Sequence, residues 1–164
     1  MKRFEIGNIY HGWVDLAFRG INILGEEETL YATISYLDDP LKIFLEIIDF
    51  ITRENNIIGF SELRFDLDME GSYLYIIVDS DLNLSVTCSG DTGNNSRLYI
   101  DSEDLPKEIF QELLKNLEVL IKFPAFIVDP REECYTEEDE IENKKHEEKV
   151  LRKINILKER LELN

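Results

Sequence analysis

Hydrophobic periodicity divides residues 1–130 into two kinds of segment, and this division limits the folds available to the chain. Two segments repeat apolar residues at steps of three and four, which is typical of amphipathic helices. The first covers about residues 40–54 after Asp39-Pro40, and the second runs from Asp104-Leu105-Pro106 to Pro124. An aspartate followed closely by a proline favours a helix start at both places.

Most of the remaining residues alternate between apolar and polar at every second position, which predicts strands. The predicted strands cover about residues 4–9, 12–19, 29–36, 60–68, 72–79, 82–88 and 96–100. Glu70-Gly71 and Asp79-Ser80-Asp81 predict tight turns, and residues 89–95 predict a longer polar loop. Strands joined by hairpins pair antiparallel, and two helices with one apolar stripe each cover one face of such a sheet. We therefore predict an α+β fold with a mainly antiparallel sheet of about six strands and two helices on one face.

The distribution of charge changes near Asp129-Pro130. Residues 131–142 carry a net charge of −6 and residues 143–160 carry +4. The tail also has apolar residues at helical spacing, namely Val150, Ile154, Leu157 and Leu161. We predict an α+β domain over residues 1–129 and a charged C-terminal helical extension over residues 130–164, which packs on the domain or extends from it.

The overall charge favours a basic partner. The chain has 35 Asp and Glu against 18 Lys and Arg, which gives a formal net charge of −17. This charge disfavours binding to the backbone of nucleic acids. The sequence shows neither a transmembrane run nor a secretory signal, so we expect a cytoplasmic protein without membrane contact. The sequence leaves the oligomeric state open.

No motif in the sequence indicates catalysis, a metal or a cofactor. The two histidines, His11 and His146, form no recognisable triad with a nucleophile. Cys88 and Cys134 lie far apart with no CxxC partner, which fits buried or incidental thiols in a reducing compartment better than a disulfide framework or a zinc site. Two acidic runs, residues 66–71 and 79–83, begin like calcium loops, but neither has the Glu needed at position 12. We therefore predict neither catalytic residues nor a metal site.

Strand alternation also separates an apolar face of the sheet from a polar face that carries aromatic residues. On the polar face we single out Trp13, Asp15, Tyr31, Asp66, Asp68, Tyr73, Tyr75 and Tyr99. Aromatic anchors combined with charged residues are typical of protein interfaces. Two other interpretations remain open: the tyrosines stabilise the sheet through cross-strand pairs, or the C-terminal helix lies across this face.

Three stretches resemble a group of small acidic bacterial proteins of unassigned biochemistry. They are Gly-Trp-Val-Asp-Leu-Ala-Phe-Arg at 12–19, Ile-Ser-Tyr-Leu-Asp-Asp-Pro-Leu at 34–41 and Phe-Asp-Leu-Asp-Met-Glu-Gly-Ser-Tyr at 65–73. Members of this group resemble candidate immunity proteins of polymorphic or contact-dependent toxin systems. The resemblance covers about residues 8–128, rests on structural motifs and carries no catalytic residue, and the tail from residue 130 departs from it.

The resemblance and the charge together predict a non-catalytic binding protein. The predicted function is that of an immunity protein that neutralises a cognate basic toxin domain, for example a nuclease, by occlusion. The five aromatic residues of the polar face are then apolar anchors, and Asp15, Asp66 and Asp68 pair with Lys or Arg of the toxin. The alternatives are an interaction or adaptor module that acts through the C-terminal helix, and an enzyme whose site the sequence does not reveal.

Overall fold

Seven strands form one curled antiparallel sheet in the computed structural model, which describes residues 2–53, 62–89, 97–101, 103–124, 127 and 129–163. The strands are β1 (Phe4–Tyr10), β2 (Trp13–Ile21), β3 (Glu27–Ser35), β4 (Glu62–Asp68), β5 (Tyr73–Asp79), β6 (Leu84–Cys88) and β7 (Leu98–Ile100). The helices are α1 (Pro40–Thr52), α2 (Leu105–Lys115), α3 (Leu117–Leu120) and α4 (Glu137–Arg160). The predicted α+β class, with antiparallel pairing and a C-terminal helix, is confirmed.

Strand β2 pairs with three strands, because two of them share one of its edges. β1 pairs with Trp13 to Phe18, β7 pairs at Ile21, and β3 covers the whole length of the other edge. From β7 the sheet continues through β6 and β5 to β4. β3 also lies beside β4, so the two ends of the sheet approach each other.

The junction between β2 and β7 depends on a glycine. A Cβ atom at Gly20 would lie 2.2 Å from the backbone oxygen of Tyr99, which is far closer than two such atoms can come. The missing side chain therefore lets the two strands approach where Ile21 and Tyr99 pair. This contact joins the β1–β2–β3 part of the sheet to the β4–β7 part.

The hydrophobic core lies between the inward face of the sheet and the helices. Phe4 of β1 and Phe18 of β2 are fully buried, and their ring centroids lie 5.3 Å apart. Phe44 of α1 packs 4.9 Å from the ring of Phe4. The alternation predicted for the strands holds at Leu74, Ile76 and Val78, because side chains two residues apart share a face. Four residues assigned to the polar face are nevertheless buried as well, namely Ala17, Ser35, Ile77 and Ser85.

Helix α1 begins as predicted, whereas the second predicted helix is divided in two. The side chain of Asp39 accepts a hydrogen bond of 3.0 Å from the backbone N–H of Lys42, which is the N-cap interaction that the sequence indicates. At Asn116 the side-chain amide donates to the backbone oxygen of Glu112 at 2.9 Å. This bond competes with the helical backbone, so α2 ends at Lys115 and the short α3 follows.

The predicted turns and strand limits agree with the structure to within a few residues. Glu70 and Gly71 both have positive φ, as a two-residue hairpin of type I′ requires. Leu82, predicted as the first inward residue of a strand, lies in a turn with a φ of 65°. Most of the predicted polar loop at 89–95, together with the start of the predicted strand at 60–68, falls outside the described residues.

Helix α4 packs against α1 and not across the polar face of the sheet. Its predicted apolar stripe is buried and belongs to the same core as the sheet: Val150, Ile154, Leu157 and Leu161. Thr136 and Asp139 form a reciprocal capping box at its first turn. The interpretation that the C-terminal helix covers the tyrosines is therefore wrong, because α1 already buries the stripe of α4.

A buried carboxylate holds α4 on α1. Asp49 of α1, whose side chain is 8% exposed, accepts hydrogen bonds from Lys153 at 2.5 Å and from Arg160 at 2.6 Å, and also from Arg53. Burial by itself raises the pKa of Asp49, but the bonds from these three cations outweigh it and hold the pKa well below its usual range. We call these four residues the Asp49 cluster.

Two glutamates of α2 occupy the outer edge of β1. Glu108 accepts from the backbone N–H of Phe4 at 2.8 Å, and the buried Glu112 accepts from that of Ile6 at 3.2 Å. Lys2 donates to the other oxygen of Glu112 at 2.5 Å. Edge-strand N–H groups that would otherwise lack a partner are satisfied in this way.

The Glu112→Ala substitution is expected to lower the free energy of unfolding by about 1–3 kcal/mol, because the N–H of Ile6 loses its acceptor in a buried position. Glu112→Gln keeps an acceptor oxygen and is expected to cost less. Urea unfolding and hydrogen exchange of the Ile6 amide test this, with Gln111→Ala at an exposed position of the same helix as control. Equal losses for Ala and Gln at position 112 contradict the role of the hydrogen bond.

Candidate partner-binding surface

The sheet face that points away from the helices is the candidate surface, and we call it the outer face. At its outward strand positions among the described residues, seven acidic side chains stand against two arginines. The acidic residues are Glu5, Asp15, Glu27, Glu62, Asp66, Asp68 and Asp79, and the arginines are Arg19 and Arg64. The outer face therefore shares the acidic character of the whole chain.

Strands β4 and β5 bring four of the predicted residues together. Antiparallel pairing places Asp66 opposite Tyr75 and Asp68 opposite Tyr73. The two tyrosine rings are stacked, with centroids 6.1 Å apart and an interplanar angle of 14°. Tyr73 is 45% exposed, whereas Tyr75 is half-buried. The result is an aromatic pair with two carboxylates on the neighbouring strand.

Arginines that were not among the predicted site residues modify this surface. The guanidinium of Arg64 lies 4.6 Å from the ring centroid of Tyr75 and forms an ion pair of 2.8 Å with Asp66. Arg97, directly before β7, lies 5.4 Å from the ring centroid of Tyr99. Stacking of guanidinium groups on tyrosine rings is favourable and keeps both groups in place. The alternation of β4 puts Arg64 on the same face as Asp66. The sequence pattern alone could therefore have placed Arg64 among the predicted site residues.

The outer face is continuous from β4 to β3. Tyr99, which is 45% exposed, pairs with Ser85 on one side and with Ile21 on the other. Ile21 lies beyond the predicted end of the second strand at residue 19, so it was not among the predicted site residues. It is an exposed apolar residue that links Tyr99 to the outward positions of β2.

Strands β2 and β3 carry the other three predicted residues. Tyr31 is the most exposed tyrosine of the outer face, at 73%, and lies opposite Ala17. Asp15 accepts a hydrogen bond of 2.9 Å from the hydroxyl of Thr33, and Trp13 lies half-buried at the end of β2. The eight predicted residues thus lie on one face but in two groups, which Ile21 and Tyr99 connect.

Several carboxylates of this face already have partners within the chain. Besides Asp66 and Asp15, Asp68 accepts from the backbone N–H of Glu70 at 2.6 Å. Asp79 accepts from the backbone N–H groups of Asp81 and Asn83, both at 2.9 Å, which gives the second calcium-like run a role in a turn. The described residues include no group of three His, Cys, Asp or Glu placed to hold a metal ion.

Within the described ranges, none of the helices combines the length and the apolar character that crossing a bilayer requires.

No family model, curated protein or solved structure matches the chain. The resemblance to candidate immunity proteins therefore stays a hypothesis.

Proposed function

We propose that the protein is a non-catalytic binding protein whose outer face binds and occludes a basic protein domain, in the manner of an immunity protein against a toxin. The observation that carries this proposal is the exposure of aromatic residues on the outer face: α1 and α4 pack on the other side of the sheet, and Tyr31, Tyr73 and Tyr99 remain exposed. Exposed aromatic residues next to charged ones are what protein interfaces favour.

Charge supports a basic partner. The chain carries a net charge of −17, and acidic residues outnumber arginines at the outward strand positions. Opposite charge accelerates association and disfavours partners of the same sign. Three tyrosines supply apolar contact area, while Arg64 and Asp66 offer paired polar groups beside Tyr75.

The alternative of an adaptor acting through its C-terminal helix has less support. The apolar stripe of α4 packs on α1, and Asp49 ties α4 to α1 through Lys153 and Arg160. A partner that needed this stripe would first have to separate the two helices.

Co-expression with the product of an adjacent toxin-like gene tests the proposed function. We expect the protein to restore growth and to co-purify with the toxin domain in a stable complex. Absence of both rescue and co-purification would overturn the immunity proposal. Loss of both upon deletion of residues 130–164, in a protein that stays folded, would favour the adaptor alternative instead.

With that complex in hand, alanine substitutions test the outer face. At least one of Tyr31→Ala, Tyr73→Ala and Tyr99→Ala is expected to weaken binding by about tenfold or more, because truncating a central aromatic anchor costs more than about 1 kcal/mol. Ile141→Ala removes an exposed apolar side chain from α4, on the helix side, and serves as control. Surface plasmon resonance measures all four. If the three tyrosine variants bind as well as the control, the outer face is not the interface.

A further inference from the structure

A second surface lies on the helix side of the molecule, in the groove between α1 and α4. The groove encloses a cavity of about 450 Å³, which is within the size range of small-molecule sites. Its walls include Leu45 of α1 and Val150 of α4, both buried, and Ile156, an apolar side chain left largely exposed. The groove therefore has apolar walls beside polar side chains, and it is open to solvent.

A polar pair also lines the groove. The side chains of Asp39 and His146 are 8% and 13% exposed, and Asp39 Oδ2 lies 4.0 Å from His146 Nε2. The other oxygen of Asp39 is fixed by the N-cap bond to Lys42.

Of the four Lys and Arg side chains that line the groove, two have carboxylate partners and two have none among the described residues. Glu46 lies 4.0 Å from Lys42, and Lys153 is bound by Asp49 outside the groove. Lys149 and Arg152 also line the groove, and neither forms an ion pair with any of the described residues. These two cations stand three residues apart on one side of α4, beside the apolar walls of the groove.

We propose that this groove binds a small organic anion with an apolar body, such as a medium-chain carboxylate. The apolar body lies against Leu45, Val150 and Ile156, and the anionic group lies between Lys149 and Arg152. The negative charge of the rest of the chain opposes this binding only weakly, because exposed charges beyond about 8 Å are largely screened at physiological salt. The groove is on the opposite side of the molecule from the outer face, so the proposal does not depend on the proposed function.

Titration of the ¹⁵N-labelled protein with octanoate tests the proposal through amide chemical shifts. We expect saturable shifts centred on the groove, with a Kd of about 1 mM or tighter. Acetate lacks the apolar body, and octylamine reverses the charge, so both are expected to cause no saturable shifts there. Absence of saturable octanoate binding, or equal binding of octylamine, would overturn the proposal.

Two double variants distinguish octanoate binding in the groove from a nonspecific effect of the positive charges on α4. Lys149→Gln/Arg152→Gln is expected to weaken octanoate binding by about fivefold or more, since charge-assisted contacts to the carboxylate are lost. Lys144→Gln/Lys145→Gln removes two positive charges from the same helix outside this groove and is expected to change Kd less than about twofold. All four side chains are exposed, and the amide spectra report whether each variant stays folded. Equal losses in the two double variants contradict a defined site.

Discussion

The Asp49→Asn substitution is expected to lower the free energy of unfolding by about 3 kcal/mol and to loosen α4 from α1. It removes the charge that binds Lys153, Arg160 and Arg53, while the shape of the side chain is kept. Removing one partner from a buried ion pair costs several kcal/mol because the other charges are left uncompensated. Urea unfolding gives the loss, and hydrogen exchange of α4 amides shows whether the helix separates first.

An exposed ion pair on α4 provides the control. Glu140→Gln removes a pair in which Lys144 Nζ lies 2.6 Å from the carboxylate, but both groups are at the surface. Such pairs contribute little, so the urea midpoint is expected to stay nearly unchanged. A loss at Asp49 no larger than the change at Glu140 would mean that burial does not strengthen the Asp49 cluster.

The Asp49 cluster also predicts how docking of α4 depends on pH. The pKa of Asp49 is lower in the folded protein than in the unfolded chain, so the carboxylate stabilises the fold fully above the unfolded value of about 4. As the pH falls below about 4, the unfolded chain takes up a proton before the folded one does, and this stabilisation is lost. In Asp49→Asn this contribution to the acid dependence is expected to vanish, which unfolding measurements from neutral pH to pH 3 would show.

The Gly20→Ala substitution is expected to destabilise the protein by about 3 kcal/mol or more. A Cβ atom there would lie 2.2 Å from the backbone oxygen of Tyr99, and a backbone atom cannot move aside as a flexible side chain does. We expect β7 to separate from β2 at Ile21, with faster hydrogen exchange of the amides in β7. Urea unfolding and amide exchange measure the two effects.

Gly25→Ala is the matched control for a backbone effect. Gly25 has a φ of 81° and nothing within 4 Å of the added Cβ, so the substitution costs only the backbone strain of a left-handed residue, about 1 kcal/mol. If the two glycine variants lose equal stability, the close approach of β2 and β7 does not limit the fold.

Much of the fold was predictable because local patterns determine it. The alternation of β5 assigned Leu74, Ile76 and Val78 to the core, and Asp39 with Pro40 located the start of α1. The break at Asn116 was not predicted, since an asparagine within a regular apolar stripe is compatible with a continuous helix. In the structure, the side-chain amide of Asn116 donates to the backbone oxygen of Glu112, four residues earlier.

The sequence alone does not predict which distant residues meet on the candidate surface. Alternation placed all eight predicted residues on one face, but it contains no information on which strands become neighbours. The pairing of Ile21 with Tyr99 joins residues on distant strands and makes the outer face continuous. Likewise, Asp49 lies on a helix as one acidic residue among many, and only the docking of α4 shows that it binds Lys153 and Arg160.

Glu108 and Glu112 of α2 disfavour self-association of the protein at the edge of β1. Open strand edges are where copies of a protein add to each other's sheets and begin fibril growth. The backbone donors of Phe4 and Ile6 are already occupied by Glu108 and Glu112 of the same chain, so a second molecule cannot dock there without displacing two carboxylates. Because these carboxylates also carry negative charge, they repel an acidic copy of the same chain, and concentrated solutions of the protein should resist fibril formation at this edge.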